Sequence, residues 1–281
     1  MHICLIMDNP ETPRHPVIAV ALQELSNRHT VRLLDVRGLT GIEAIAREEE
    51  QHPADLYLLK SHALQALELA QTLEQAGRLV VNSHASSLAC QDRVLLTDQM
   101  RAANLPWPHT WHVPTLDAVL HDSGLSQVFS WPVIVKSRFS HRGDLVDKLD
   151  TIAHLQALIA QWGKEPIVFQ EFSVSDGWDI KLWVIDQHVF AARRRTPLEA
   201  NASTQDFPIA EHDLPPEWKR LALAVGRSLK MPLYGVDLLI TEKGPIIVDV
   251  NAFPGFRGVP GASEALVDLV ERLLQERTDV A

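Results

Sequence analysis

The sequence contains little cysteine and no long apolar run. Only two of its 281 residues are cysteine, Cys4 and Cys90, so a disulfide framework is excluded and a reducing compartment is favoured. No apolar stretch approaches the length that a bilayer-spanning helix needs, and the N-terminal residues lack a basic leader. These absences predict a cytoplasmic protein that has no membrane partner.

Positive charge is also scarce. Lysine and arginine together number 26 against 36 acidic residues, which gives a formal net charge of −10 with no long basic run. This balance disfavours a nucleic-acid partner. The hydrophobic fraction of 46% is sufficient for a sizeable core, and the length suits two or three lobes.

Several familiar active-site patterns are missing. No G-x-G-x-x-G turn follows an N-terminal strand, so the sequence predicts no dinucleotide site there. No nucleophilic triad is evident around either cysteine. The aromatic and histidine cluster at 107–112 lacks the carboxylates or cysteines that would support a metal site. Packing in a core or turn is the favoured interpretation of that cluster.

The first 82 residues alternate between short apolar runs and amphipathic segments. This βαβα order predicts a parallel, doubly wound, Rossmann-like sheet. The predicted strands are His2–Met7, Val31–Asp35, Asp55–Leu59 and Leu79–Val81, and the predicted helices are 14–28, 41–51 and 63–76.

The rest of the chain mixes helices with hairpins, so we expect an α/β fold that is α+β in its C-terminal lobe. A helical region at 84–104 ends before two prolines that mark a boundary. The predicted strands are 131–136, 145–148, 166–171, 179–185 and 188–195, the predicted helices are 117–122, 150–162, 216–229 and 262–275, and 196–215 is a predicted loop. The predicted domains are 1–90, 91–169 and 170–281.

A hairpin at 234–255 carries three oxygen-bearing side chains. The sequence predicts two strands joined by a turn at 243–245, with Asp237 on the first strand and Asp249 and Asn251 near the end of the second. Side chains two apart on a strand face the same way, and an antiparallel partner can bring Asp237 beside them. Two carboxylates and an amide suit Mg²⁺ or Mn²⁺, particularly when nucleotide phosphates complete the coordination. Turn capping is the alternative for each residue taken singly.

A lysine and a polar loop follow the strand in the middle of the chain. Lys136 ends an apolar strand, so its ammonium either enters a cleft or snorkels over the sheet edge. The loop 137–144 is small, polar and basic, and it contains His141 and Arg142. Its backbone N–H groups and Arg142 are candidate phosphate donors, and a mobile surface loop is the alternative.

Further polar side chains lie at strand ends in the second half. Gln170, Glu171 and Phe172 end a strand, and an exposed backbone edge there can read an adenine base. Asp179 and Lys181 share a face of the next strand. The arginines 193–195 end its partner strand. They are either a solvated rim or a site for polyphosphate or an anionic substrate.

Taken in order, these residues resemble the ATP-grasp superfamily over about 80–265. The resemblance implies an N-terminal α/β domain, a small central lobe and a C-terminal α+β lobe, with ATP between the last two. It implies that Lys136 and loop 137–144 contact the phosphates and that 170–173 forms the adenine hinge. Asp179-Ile-Lys181 looks like the family's Asp-x-Arg/Lys strand, 191–195 looks like its arginine strand, and the metal ligands match Asp237, Asp249 and Asn251.

Two subgroups share these motifs. RimK-like carboxylate–amine ligases are similar in Asn82-Ser83, in the Asp-Ile-Lys and Ala-Ala-Arg strands, and in the ending Val-Asn-x-x-Pro-Gly. Inositol tris/tetrakisphosphate kinases are similar in 136–141 and 249–255. Two features depart from the pattern: Arg93 stands where these enzymes often have lysine, and loop 196–215 lacks the Phe-Arg-Ser-Asn element of many RimK-like ligases. The net acidity disfavours a highly phosphorylated inositol substrate.

We therefore predict an ATP-grasp ligase of the RimK-like type, which forms an amide bond through an acyl phosphate and uses ATP with Mg²⁺ or Mn²⁺. The alternatives are a small-molecule kinase, which would take a polyol phosphate, and a non-catalytic nucleotide-binding module. The expected substrate is a small molecule or peptide with a carboxylate, and a homodimer is possible. The residues assigned by resemblance are Lys181 and Arg195 for catalysis, Arg93, Lys136, Arg142, Gln170, Glu171, Phe172 and Asp179 for ATP, and His141, Arg194 and Arg257 for the substrate.

Overall fold

The N-terminal alternation of strands and helices forms a four-stranded parallel sheet of order β2-β1-β3-β4. The computed structural model describes residues 1–37, 49, 51–121, 130–141, 143–196 and 205–280. The helix predicted at 41–51 falls almost entirely outside them. Alternate residues of β1 join two different apolar cores on opposite faces of the sheet, so the predicted doubly wound arrangement is confirmed. Its elements are β1 (His2–Met7), α1 (Pro16–Ser26), β2 (Thr30–Asp35), β3 (Leu56–Lys60), α2 (Leu64–Gln75) and β4 (Val80–Val81).

The helical region predicted at 84–104 consists of two helices, α3 (His84–Gln91) and α4 (Arg93–Ala102), with a break at Asp92 that the prediction did not include. Asp92 separates them because its backbone is extended, and its carboxylate caps α4 by accepting from the N–H of Val94 at 3.0 Å. Leu96 and Met100 of α4 pack into the core of the C-terminal lobe.

The central lobe is a four-stranded antiparallel sheet of order β5-β8-β6-β7. One face carries the lobe's own apolar core, which includes Val133, Val135 and Phe169 together with Leu155 of a covering helix. Strand β5 was not predicted, because three of its four residues lie inside the aromatic and histidine cluster. The elements are β5 (Thr110–Val113), α5 (Ala118–His121), β6 (Val133–Ser137), β7 (Val146–Leu149), α6 (Ile152–Trp162) and β8 (Ile167–Glu171).

The C-terminal lobe is a five-stranded antiparallel sheet of order β11-β10-β9-β12-β13. The short strand β11 and a 3-10 helix at Glu211–Asp213 lie in the segment predicted to be a loop. The hairpin turn is Glu242-Lys243, one residue earlier than predicted, because Gly244 already pairs with Thr241. The elements are β9 (Trp178–Ile185), β10 (His188–Arg195), β11 (Phe207–Ile209), α7 (Pro216–Leu229), β12 (Leu233–Thr241), β13 (Gly244–Asn251) and α8 (Ala262–Val280).

The last helix, α8, packs against both the N-terminal domain and the C-terminal sheet. Leu266 and Val270 of α8 belong to one apolar cluster with Ile3 of β1, Ile18 of α1 and Trp183 of β9. The N-terminal sheet and the C-terminal sheet therefore share a core, whereas the central lobe has its own. No helix among the described residues is long and apolar enough to cross a membrane.

Candidate active site

A cavity of about 770 Å³ opens between the central sheet and the C-terminal sheet. Apolar side chains, including Ile134 and Val146 on one side and Leu239 on the other, form part of its walls. A mostly apolar cleft with a few convergent polar groups is the usual form of a small-molecule site. The sequence-predicted residues that line it are Arg93, Lys136, Gln170, Glu171, Phe172, Asp179, Arg194, Asp237 and Asp249.

Lys136 reaches across this cleft from the central lobe. Its neighbours Val133 and Val135 face the lobe's core, and strand alternation turns Lys136 to the opposite face. Its Nζ donates to the carbonyl of Val248 at 2.9 Å. That carbonyl is available because the register of β12 and β13 shifts beside Asp237 and leaves Val248 without a pairing partner, as in a β-bulge.

Burial lowers the pKa of Lys136 to about 8. The nearby charge of Asp249 opposes this shift and that of Arg93 adds to it. Lys136 is 7% exposed as a whole residue, and the described hydrogen bond of its ammonium is to a neutral carbonyl. A buried cation with so little compensation is suited to an anionic ligand.

The predicted metal ligands lie side by side on the C-terminal sheet. Asp237 pairs directly with Asp249 across β12 and β13, and on its other side it pairs with Lys181 of β9. Residues opposite one another share a face, so the two carboxylates and the ammonium form a row. The Nζ of Lys181 lies 3.2 Å from a carboxylate oxygen of Asp237. Asn251 borders an adjoining small pocket, which it shares with Asp249, and does not line the large cleft.

The donor set fits a nucleotide-bound divalent cation. Mg²⁺ is commonly held by one or two carboxylates together with substrate phosphates, and the pair Asp237 and Asp249 supplies two carboxylates. Within the described part of the chain, no group of three or more histidine, cysteine, aspartate or glutamate residues forms a complete cation cage. The site therefore suits a metal that arrives with phosphates.

Arg93 and its neighbour Asp92 hold both ends of the loop 137–144. The guanidinium of Arg93 donates to Asp144 at 2.7 Å and to the carbonyl of Ser137 at 2.6 Å. Asp92 accepts from Arg138 at 2.7 and 2.9 Å in a bidentate pair. Arg93 lines the cleft, but its charge is already engaged with Asp144, so it anchors the loop at least as much as it faces a ligand.

The middle of this loop approaches the N-terminal domain. The N–H of Ser140 donates to the carbonyl of Gln91 at 2.8 Å, and Arg142, two residues further along the loop, lies outside the described residues. His141 does not line the large cleft. Its predicted contact with the substrate stays a prediction.

The predicted adenine hinge lies at the mouth of the cleft. Gln170 is buried and donates to Thr110 at 3.2 Å, whereas Glu171 is exposed and its N–H donates to the carbonyl of His109. Lys148 was missed by sequence reasoning: it lines the cleft, with its ammonium 4.8 Å from the centre of the Phe172 ring. Alternation along β7, which places Val146 and Lys148 on one face, was the available signal.

The arginines of β10 divide between two faces of the sheet. Arg194 pairs with Asp179 and lines the cleft. Arg195 lies on the other face, with its guanidinium 4.1 Å from the centre of the Trp178 ring. The structure therefore does not bring Arg195 to Lys181, which contradicts the predicted catalytic role of Arg195. Arg194 is the arginine of this strand that lines the cleft. Strand alternation in the sequence already separates the two.

Two buried polar atoms in this wall lack hydrogen-bond partners, Oδ1 of Asp179 and Nε of Arg194. Burial raises the pKa of Asp179, and the charge of Asp237 adds to this. Unsatisfied buried polar atoms beside a cavity are typical of a site completed by a ligand. Arg257 lies elsewhere, bordering a cavity of about 430 Å³ between β10 and the loop before α8.

Comparison with known families and curated proteins gives a consistent result. The RimK-like ATP-grasp domain family matches residues 116–275, more than half of the chain. A probable alpha-L-glutamate ligase 2 of Hahella chejuensis is 26% identical over 70% of this chain and 68% of its own length. The human N-acetylaspartylglutamate synthase A is 27% identical over 66% of this chain, and the match spans 49% of the human protein.

Solved structures share the fold over nearly the whole chain. A RimK domain ATP-grasp protein from Sphaerobacter thermophilus aligns with a TM-score of 0.71 and 19% identity, covering 96% of this chain and 99% of the other. The D-alanine–D-alanine ligase of Bacillus anthracis complexed with ATP aligns with a TM-score of 0.70 and 19% identity over the full length of both chains. The chain thus belongs to the RimK-like ATP-grasp family and is an ATP-dependent, amide-bond-forming ligase.

Proposed function

We propose that the cleft binds ATP with Mg²⁺ and transfers the γ-phosphoryl group to a substrate carboxylate, after which an amine displaces the phosphate. The observation that carries this proposal is the meeting of Lys136 from the central lobe with Asp237 and Asp249 from the C-terminal hairpin in one cavity. Opposed cationic and anionic walls are what phosphoryl transfer requires, because catalysis there rests on positioning and charge neutralisation.

The reaction proceeds in two balanced steps. A carboxylate oxygen of the acid attacks the γ-phosphorus, and the bond to the β–γ bridging oxygen breaks, so ADP leaves with that electron pair. The amine nitrogen then attacks the acyl carbon, phosphate leaves, and the amine loses a proton to give the amide. Neither step needs a nucleophile from the protein, which agrees with the lack of a triad in the sequence.

Each residue in or beside the cleft has a proposed role that follows from its position. Lys136 holds a phosphate oxygen in place of the Val248 carbonyl, and Arg194 supplies positive charge to the transferring group. Lys181 orients Asp237 through their ion pair. A divalent cation on Asp237 and Asp249, with Asn251 beside them, would neutralise charge developing on the phosphates. The residues 170–172 border the end of the cleft that suits the base.

Product analysis with candidate acids and amines tests this function. Phosphate release from ATP that requires acid and amine together, with an amide as product, supports the ligase. In the presence of hydroxylamine, which traps acyl phosphates as hydroxamates, the acid alone suffices. Transfer of labelled γ-phosphate to an alcohol identifies a kinase instead. Thermal stabilisation by nucleotide without any turnover identifies a binding module. Cytoplasmic location and a homodimer stay predictions.

A further inference from the structure

A second, much smaller pocket adjoins the metal end of the cleft. Its volume is about 20 Å³, room for one water-sized group. Asp249 borders both cavities, so this pocket lies immediately beside the proposed site of phosphoryl transfer. Its other polar walls come from four parts of the fold: Lys60, Ser61 and His62 at the end of β3 and just after it, Ser87 and Gln91 of α3, Ser140 of the loop 137–144, and Asn251 of β13.

Lys60 is the charged group of this pocket that the nucleotide site does not use. Its Nζ donates to the carbonyl of Phe253 at 2.6 Å and lies 5.3 Å from the centre of the Phe253 ring. No described carboxylate forms an ion pair with it. Asp8, the nearby acidic group, already accepts from the N–H groups of His62 and Ala63 at 2.9 and 3.1 Å. An ammonium has three donors, and one of them has a described partner here.

Two histidines and Arg257 lie near Lys60. Burial lowers the pKa of His15, and the charges of Lys60 and Arg257 add to this effect. Its Nδ1 is buried without a hydrogen-bond partner. Burial also lowers the pKa of His62, and the charge of Lys60 again contributes. Both histidines are therefore neutral at pH 7 and can offer ring nitrogens to a ligand, while Lys60 and Arg257 supply the positive charge.

The topology independently makes this corner a ligand position. Lys60 ends the parallel strand β3, and Asp8 follows the parallel strand β1. Ligands of open parallel sheets bind beyond the carboxyl ends of the strands, which is where both residues lie. An acid whose reacting carboxylate meets the γ-phosphate beside Asp249 can therefore extend its far end toward Lys60.

Resting on the proposed function, we propose that Lys60, with His15 and His62 beside it, binds a second carboxylate of the acid substrate, which makes the activated substrate a dicarboxylate. Because the pocket has room for only one water-sized group, the Phe253 carbonyl must move aside for the far carboxylate to replace it as the partner of the ammonium. Charge-assisted hydrogen bonds of this kind give discrimination of about 10- to 100-fold against an analogue that lacks the charge. A purely structural role, in which Lys60 only ties β3 to the C-terminal lobe, gives no such discrimination.

The test compares matched acids on the full-length protein saturated with ADP and Mg²⁺. The probes are succinate, glutarate and L-glutamate, each paired with the monoacid of equal chain length, butyrate, valerate or L-norvaline. Dissociation constants are measured by titration calorimetry for the wild type, Lys60→Met, Lys60→Arg and the control Lys164→Met, whose side chain is 90% exposed and pairs with Asp117 away from both cavities. Thermal unfolding of each variant establishes that it is folded.

We expect the wild type and Lys164→Met to bind at least one diacid about tenfold or more tightly than its monoacid. Lys60→Met should abolish that preference while Lys60→Arg keeps part of it. The inference is overturned if the wild type shows no diacid preference, or if a folded Lys60→Met retains it. Hydroxamate formation separates the two proposals. A wild type that binds diacids through Lys60 but forms no hydroxamate contradicts the ligase chemistry and leaves the anion site standing.

Discussion

Replacing Asp249 with asparagine should stop turnover while leaving the fold nearly intact. Asp249 faces Asp237 across the hairpin, and the side-chain β-carbons of such pairs lie about 5 Å apart. At that distance two like charges repel by about 3 kcal/mol in an effective dielectric constant of about 20. Attraction to the buried Lys136 acts in the opposite direction. Because the two terms oppose each other, we expect the free energy of unfolding to change by about 1 kcal/mol or less.

The effect on catalysis should be far larger. The variant loses one anionic ligand of the proposed cation, and removal of one such electrostatic contact typically lowers kcat by about 100- to 1,000-fold. The assay is steady-state phosphate release at varied Mg²⁺, with urea unfolding measured in parallel. Asp249→Glu keeps the charge and should retain part of the activity. Asp213→Asn, an exposed carboxylate outside the cleft, is the matched control. Full turnover in a folded Asp249→Asn would refute the metal assignment.

Three further outcomes are expected. Arg194→Ala should lower kcat by about 100-fold. Arg195→Ala should leave kcat unchanged, because the Arg195 side chain stacks on Trp178 on the face of the sheet away from the cleft. Equal losses in the two variants would contradict the proposed role of Arg194. The affinity of the wild type for metal-free ADP should fall as the pH rises through about 8, because Lys136 loses its proton there. The Lys136→Met variant should bind ADP weakly at all pH values. Titration calorimetry from pH 7.5 to 9.5 measures both affinities. Asp92→Ala should cost about 1–3 kcal/mol in urea unfolding, because the cap of α4 and the pair with the partly exposed Arg138 are both lost. An unchanged midpoint would show that these contacts contribute nothing.

The sequence predicted most of the charged residues that line the cleft, because alternation along a strand determines which face of the sheet each side chain is on. Lys136, Asp237 and Asp249 each follow from alternation within a strongly apolar strand. The same rule puts Arg194 and Arg195 on opposite faces of the sheet. With three consecutive arginines, however, the sequence alone does not show which of them faces the cleft, and the pairing of β10 with β9 determines this. The roles of these residues in the reaction stay predictions.

Long-range features were beyond the sequence. The bulge that frees the Val248 carbonyl depends on how β12 pairs with β13, and Asp92, at the break between two helices, pairs with Arg138, 46 residues away. Lys60 and His15 come together because both lie at or beyond the carboxyl ends of the N-terminal strands, and the carbonyl of Phe253 after β13 packs against Lys60. Nothing in the residues around Lys60 alone indicates an anion site.

The shared core of the N-terminal and C-terminal sheets determines which part of the molecule can move to admit ATP. Separating those two sheets would expose the apolar face of α8, at a cost of about 25 cal/mol for each Å² of apolar surface. Near the cleft, the contacts that connect the central lobe to the rest of the protein are polar. They include the ion pair of Arg93 with Asp144 and the hydrogen bond from Lys136 to the Val248 carbonyl. Water and nucleotide phosphates can replace such contacts at a net cost of about 1 kcal/mol each. The central lobe should therefore swing as a rigid body against a fixed two-domain base, and hydrogen exchange should show the base opening later than the cleft.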